Sequence, residues 1–378
     1  MGPLKDFRII EIAGIGPSQF AGMLLADMGA RVVRIARPVD AEPVFAADAR
    51  FNLMNRSRPT ISVDLKTPQG VQLVLDLCRD ADAIFEGFRP GVMERLGLGP
   101  EECMAYNAKL VYGRMTGWGQ QGPLAQTVGH DANFIALAGV YAAIGEKGGA
   151  PVYPLNLVGD MGGGGAYLVM GLLSAMLEAT KSGLGQVVDA AMVDGAASQM
   201  ASIWGFRAAG AWSDERGSNI LDGGAPFYTA YRTRDNLHMA VAPIENRFYA
   251  NLLNVLGLDD INPSDQHDRS RWDTVRQRIQ AVFETRTRDE WCEVLEGTET
   301  CCTPILNMSE VTVHPHNVGR KTFVKIDGVS QPAPAPRFSR TASEVSSPAG
   351  PARTDLREVL RGWGASEQVL ANLAKEYQ

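Results

Sequence analysis

Two segments of the chain carry side chains suited to moving protons. In the first, Gly129-His130-Asp131 follows the Gly- and Gln-rich run TGWGQQGPL and leads into an apolar stretch. A histidine titrates near neutrality, so His130 can act as acid or base at physiological pH. Lone histidines are more commonly structural, and although a neighbouring His-Asp pair also suits a metal site, no evident second pair accompanies this one. In the other segment, Asp160 precedes four glycines, Gly162 to Gly165, and then an apolar helix. It reads either as an N-cap with no further role or as a carboxylate held where helix N–H groups can polarise an anionic intermediate. The glycines fit the second reading, because they remove side chains where a ligand backbone would approach; spacing alone leaves both open.

Basic side chains form a second constellation. Arg34, Arg37, Arg56, Arg58, Lys66, Arg89 and Arg95 fall at or near expected strand ends, where an open α/β sheet has its ligand crevice, so a phosphorylated ligand would use them. Taken singly, each is equally well a solvated surface charge. Gly14-Ile15-Gly16-Pro17 sits where a dinucleotide fold carries G-x-G-x-x-G, but Gln19 replaces the third glycine and Pro17 intrudes. The second strand ends in Arg34 and Arg37 rather than the acid that would hold a ribose hydroxyl; arginine there suits a ribose phosphate. His314-Pro315-His316 lacks the carboxylate or cysteine cluster that would complete a metal site, and nothing marks Cys301 or Cys302 as a low-pKa nucleophile. The five cysteines have no C-x-x-C spacing, so reduced, mostly buried thiols are expected.

These residues need a frame. FRIIEIA (7–13) reads as a buried strand, Pro17 to Gly29 as a helix and Arg31 to Ile35 as a second strand, which makes a βαβ unit. Strands at Thr60 to Leu65, Ala83 to Phe85 and Leu110 to Arg114 alternate with helices at Pro68 to Arg79 and Gly91 to Leu96. A parallel sheet with helices on both faces is implied. After a loop-rich stretch at 117–160, a helix from Gly165 to Thr180, a strand from Gln186 to Asp189 and a helix from Ala190 complete this large Rossmann-like α/β domain, 1–200. A linker at 200–225 precedes a smaller α+β domain at 225–325. The Pro/Ser/Ala-rich segment within 326–378 reads as an extended return linker, ending in a helix docked on the large domain, so that 330–378 completes it.

Length and composition bound the function. With 378 residues, 45% hydrophobic and 21% charged, the chain supports two or three folded domains and lacks a disordered profile. Its formal charge of −7 offers no global positive field for nucleic acid or anionic lipid. The longest apolar stretch, Ala166 to Leu177, is short of the roughly 20 residues a membrane span needs, and the amino terminus lacks a signal-peptide layout. A cytoplasmic protein with no membrane or nucleic-acid partner is expected.

Several segments together, RIIEIAGIGPSQFAGMLLADMGARVVRIARP, NRSRPTISVDLKTPQG, EGFRPGVMERLGLGPEE, RMTGWGQQGP, GHDANFIALAG, PLNLVGDMGGGGAYLVMGLLSAMLE and GQVVDAAMVDG, resemble the family III CoA transferases. The pairing of GHD with PLNLVGD resembles the branch of that family that racemises 2-methylacyl-CoA thioesters. The resemblance implies an acyl-CoA substrate and a two-base reaction without metal, pyridoxal or nicotinamide, CoA being part of the substrate. It makes His130 and Asp160 the two bases and Glu245, in APIENRFY, the residue that holds the histidine. For CoA it points to Arg37 at the ribose phosphate, Ser62, Val63, Asp64, Leu65 and Lys66 along the nucleotide, and Arg89 and Arg95 near the phosphates. Gly129, Asp131, Ala132, Asn133 and Phe134 would lie near the thioester. An interlocked homodimer, with Glu245 reaching His130 of the other chain, is also implied.

The chemistry suits these residue types. A thioester carbonyl acidifies its α-C–H, and the planar enolate can be reprotonated on either face by two opposed groups, each worth about 10²–10⁴-fold. Asp160 needs its acid form stabilised to donate a proton, and the N–H groups of Asp160 and Met161 are the expected enolate donors. A transferase of the same fold would instead use Asp160 as a nucleophile, with no need for a base at position 130. Met161, Met192 and Met200 suit a plastic acyl surface or, equally, a core. One departure from the family pattern is Ala36, which stands where an aspartate usually precedes Arg37.

Overall fold

The computed structural model describes residues 2–38, 48–351, 353 and 355–376. Two compact units are present, one of Met1–Ala138, Leu155–Gln199 and His316–Gln378, the other of Gly139–Pro154 and Met200–Pro315. Residues 139–154, read above with the large domain, and 200–225, read as a linker, group with the second unit.

The first unit opens with the expected βαβ unit, β1 (Arg8–Ile12), α1 (Pro17–Asp27) and β2 (Arg31–Ala36). It continues through β3 (Thr60–Ser62), α2 (Pro68–Asp80), β4 (Ala83–Glu86), α3 (Val92–Arg95), α4 (Pro100–Tyr106), β5 (Val111–Thr116) and α5 (Asp131–Leu137). The chain enters the second unit with α6 (Val140–Ala143), then returns for α7 (Tyr167–Ser182), β6 (Val187–Ala191) and α8 (Met192–Gln199). The second unit resumes with α9 (Ala201–Ala208), β7 (Thr229–Arg232), β8 (His238–Val241), α10 (Asn246–Val255), α11 (Trp272–Phe283), α12 (Arg288–Leu295), β9 (Cys302–Pro304) and α13 (Met308–Val311). After α14 (Pro315–Arg320), the hairpin β10 (Phe323–Ile326) and β11 (Val329–Pro332), α15 (Leu356–Trp363) and α16 (Glu367–Glu376) end the fold. β11 occupies the start of the stretch expected to be a plain extended linker.

Six parallel strands run in the order β3-β2-β1-β4-β5-β6. Both faces are covered, which is why the strands read as continuous apolar runs. Ile10, Val33 and Ile84 pack with Leu77 of α2 and with Leu360 and Trp363 of α15. On the other face Ile9, Val32 and Phe85 pack with Leu25 of α1 and Leu168 and Leu172 of α7. The Trp363 Nε1–H donates to the Ile9 carbonyl at 3.2 Å, fixing the terminal helices to the central strand. In the second unit the antiparallel sheet β7-β8-β9 packs Tyr231, Met239 and Val241 against Leu252, Ile279 and Phe283. Strand order in the large sheet reverses between β1 and β4, and a ligand crevice opens outside the carboxyl ends of the strands at such a reversal.

Candidate active site

Asp160 does not cap a helix. It lies inside a π-helical segment, Val158–Ala166, that runs directly into α7, which removes the N-cap reading of the two left open by the sequence. π turns are rare and recur at functional sites. The glycines have a packing cause. A Cβ on Gly163 would lie 2.7 Å from the Ala196 nitrogen, on Gly164 2.9 Å from Pro17 and Met192, and on Gly165 2.7 Å from the Pro17 carbonyl oxygen. The run is therefore glycine because α1 and α8 press onto it.

The Asp160 carboxylate is held at the strand-order reversal. The Asn156 side-chain amide donates to its Oδ2 at 3.0 Å. On the other side stands Gly16, with φ +62 and ψ −114, where a Cβ would come 3.0 Å from the same oxygen. The glycine of the Gly14-Ile15-Gly16 turn thus makes room for a carboxylate of the protein itself. Burial pushes the Asp160 carboxyl above its usual range; the Asn156 hydrogen bond opposes this, the Asp131 charge adds to it and His130 opposes it. Asn156, four residues before Asp160 at a kink with non-helical backbone, is a site neighbour that sequence spacing does not signal.

His130 stands just before α5, its main-chain N–H donating to Asn133 Oδ1 at 3.0 Å and its side chain exposed. Asp131, the first residue of α5, is 3% exposed, and its Oδ2 accepts the Asp160 main-chain N–H at 2.6 Å. This bond ties α5 to the π segment, and the His130 charge acts on the Asp160 carboxyl from just before α5. It also occupies the Asp160 amide, which is therefore not the enolate donor expected from the sequence. Phe134 is buried with its ring edge-on to Trp118 at 4.7 Å. Of the thioester group proposed from the sequence, the Asp131 and Phe134 side chains thus face the interior, whereas Gly129 and Ala132 are half-buried and Asn133 is exposed.

The basic constellation divides in two. Arg56 is buried and binds Asp27 through Nη2 at 2.5 Å and Nε at 3.2 Å, with Nη1 on Gln331 Oε1 at 2.9 Å and the Pro332 carbonyl at 2.8 Å. Arg58 is buried on Glu11 and the Met54 carbonyl, and Arg34 meets Glu11 Oε1 at 3.2 Å. Glu11 lies in β1 with no exposure, and burial raises its carboxyl while both arginines lower it. Arg34, Arg56 and Arg58 are therefore structural cations, a correction to the phosphate set. Arg37, Lys66, Arg89 and Arg95 are exposed and have no ion-pair partner among the described residues. Ser62, the last residue of β3, and Asp64 just after it are exposed, while the Val63 and Leu65 side chains are buried.

Further charge sits under the loop that carries Arg89. Glu86, at the end of β4, accepts the Phe88 N–H at 2.6 Å and lies 3.4 Å from Arg114 Nε, while Arg114 Nη1 binds Glu94 of α3 at 2.7 Å. Burial pushes the Glu86 carboxyl up to about 7. Glu245 is exposed just before α10 in the second unit. Cys78 and Cys103 are buried, but Cys301 is exposed and Cys292 and Cys302 are intermediate, so fewer thiols are buried than expected. Met192 is core, whereas Met161 and Met200 are half-buried. Among the described residues, no group of three His, Cys, Asp or Glu side chains is arranged to hold a metal ion, and no helix is long and apolar enough to cross a membrane.

Comparison with known proteins follows the same lines. The profile of CoA-transferase family III matches residues 4–354. The chain is 42% identical to an alpha-methylacyl-CoA racemase of Mus musculus and 38% identical to that of Homo sapiens, each alignment covering 98% of this chain and 96% of the relative. Its fold is similar to that of a CaiB/BaiF family protein from Brucella suis, with a TM-score of 0.80 at 23% identity over 96% of this chain and 99% of the other. With a match over nearly its whole length, the chain belongs to CoA-transferase family III.

Proposed function

We propose that the protein interconverts the (2R) and (2S) forms of 2-methylacyl-CoA thioesters by proton transfer through an enolate, with His130 and Asp160 as the two acid/base groups. The observation that carries this reading is the Asp160 N–H to Asp131 bond, which holds the helix start next to His130 against a carboxyl whose proton affinity burial raises and the histidine's charge lowers. The rise favours the acid form, which is the form that must deliver a proton. His130 removes the α-proton of one configuration while protonated Asp160 supplies the opposite face; the reverse direction exchanges the roles. The names of the two racemase relatives support the same substrate class.

Arg37, Lys66, Arg89 and Arg95, exposed and without carboxylate partners among the described residues, are the cations proposed for the CoA phosphates, with Ser62 to Leu65 beside the nucleotide. No metal or redox cofactor enters the reaction. The proposal includes an interlocked homodimer in which Glu245 of the partner subunit steadies His130, and a cytoplasmic location.

The test is incubation of one enantiomer of a 2-methylacyl-CoA in deuterium oxide, following α-deuterium and configuration together. Deuterium should enter as the two configurations equilibrate, and His130→Ala and Asp160→Ala should each lower the rate by about 10²–10⁴-fold. Transfer of CoA to an added carboxylate through an Asp160-linked covalent intermediate, with no α-exchange, would overturn the racemase reading in favour of a transferase.

A further inference from the structure

Asp131 stands in an arrangement that a simple helix-start residue does not need. Its carboxylate is almost fully buried, which is costly for a charge without strong compensating bonds. One such bond, from the Asp160 main-chain N–H at 2.6 Å, falls in the short, charge-assisted range. The space around it is fitted: a Cβ on Gly159 would lie 2.4 Å from Asp131 Oδ2. Gly159-Asp160 is therefore shaped to let this carboxylate reach the π segment. Asn156 then fixes Asp160 at its carboxyl end, and Asp131 fixes it at its main-chain end.

We propose that Asp131 is the positioning residue of Asp160, anchoring its main chain so that the Cα–Cβ direction, and with it the carboxyl, stays aimed at the reacting carbon. This rests on the proton-transfer reading of Asp160 given above. Its charge has a second effect, because the groups that act on the Asp160 carboxyl are few. Asp131 of α5 raises its proton affinity, His130 beside it lowers it, and Asn156 and Gly16, from the segments on either side, are neutral. A neutral acceptor at position 131 would keep the anchor and lose the charge; alanine would lose both.

The experiment compares Asp131→Asn and Asp131→Ala with the unaltered protein. The midpoint of the Asp160 carboxyl is read by ¹³C NMR, its signal assigned by disappearance in Asp160→Asn, and pH profiles of racemisation are recorded in parallel. Asp131→Asn should lower the Asp160 midpoint, move the acid limb of kcat/KM to lower pH and keep kcat within about tenfold. Asp131→Ala should lose about 10²-fold in kcat, the effect of roughly 1 Å of misplacement, with KM for the acyl-CoA little changed. Because the overall equilibrium is untouched, kcat/KM must fall equally in both directions. An unmoved midpoint in Asp131→Asn, or a raised KM with unchanged kcat in Asp131→Ala, would overturn the proposal; the latter marks a ligand contact instead. If Asp131→Ala does not fold, Asp131→Asn alone decides. A wild-type protein that neither racemises nor exchanges would sink the functional reading, while the NMR midpoint still decides the role of Asp131.

Discussion

Replacing Arg56 with methionine separates a structural arginine from a ligand-binding one. Its side chain is 3% exposed and that of Asp27 1%, so truncation strands a carboxylate in the interior together with the Gln331 and Pro332 carbonyl oxygens. Removing one partner of a buried pair costs about 3–5 kcal/mol, and each stranded acceptor adds about 1–3 kcal/mol. Methionine refills most of the volume and returns about 1.5–3 kcal/mol of apolar burial. Together these give a net loss centred on about 6 kcal/mol. The loss also depends on pH. Burial already raises the Asp27 carboxyl and Arg56 holds it down, so without Arg56 it rises further. A group raised in the folded state contributes stability that disappears as pH climbs through its folded value, so Arg56→Met should suffer more at pH 8 than at pH 5.5. Urea unfolding at both pH values, with KM for an acyl-CoA at 20 °C, makes the measurement. Arg89→Ala provides the contrast. Exposed and unpaired among the described residues, it should leave stability within about 0.5 kcal/mol and raise KM about 10–100-fold, as loss of a charge-assisted phosphate contact would. If Arg56→Met unfolds with the wild type but raises KM tenfold, Arg56 is a ligand residue and the reasoning is wrong.

Gly16→Ala places a Cβ 3.0 Å from Asp160 Oδ2 at a φ of +62; it should cost about 1–3 kcal/mol of stability and about 10²-fold in kcat while CoA affinity, read by calorimetry, is kept. Wild-type kcat in that variant would mean that the turn does not bear on the carboxylate. For Glu86, the rise from 4.5 to about 7, at about 1.4 kcal/mol per pH unit, makes the folded state about 3 kcal/mol less favoured at pH 8 than at pH 4.5. Glu86→Gln cannot ionise, so its melting temperature should gain on the wild type between pH 5 and pH 8; a difference that stays flat with pH contradicts the buried, proton-holding state.

The parallel sheet is legible because it rests on local pattern. FRIIEIA, RVVRIA and AIFE put apolar residues on both faces, with Glu11, Arg34 and Glu86 among the exceptions, a pattern that suits a strand covered on both sides, and the Gly14-Ile15-Gly16 and Gly29 turns mark the ends of α1. His130 and Asp160 stand out for a similar reason, a titratable residue type set beside glycine. Their surroundings are another matter. The partners of Arg34, Arg56 and Arg58 lie 23, 29 and 47 residues away, and Gln331 lies 275 away. Strand-end position gives a buried cation and a ligand cation the same signature. The π segment was equally hidden: a glycine run before an apolar helix does not say whether a ligand or a neighbouring helix fills the space.

By itself the sequence determined the layering of the large unit, the titratable residue types at positions 130 and 160 and the absence of a global field for nucleic acid, since periodicity, side-chain chemistry and net charge are local or additive properties. Tertiary structure alone decided which arginines remain for a ligand, that the glycines serve α1 and α8, and that Asp131 turns inward to hold the Asp160 amide. Each of these depends on which distant groups share a low-dielectric interior, where an unpaired charge or amide is costly enough to choose its partner.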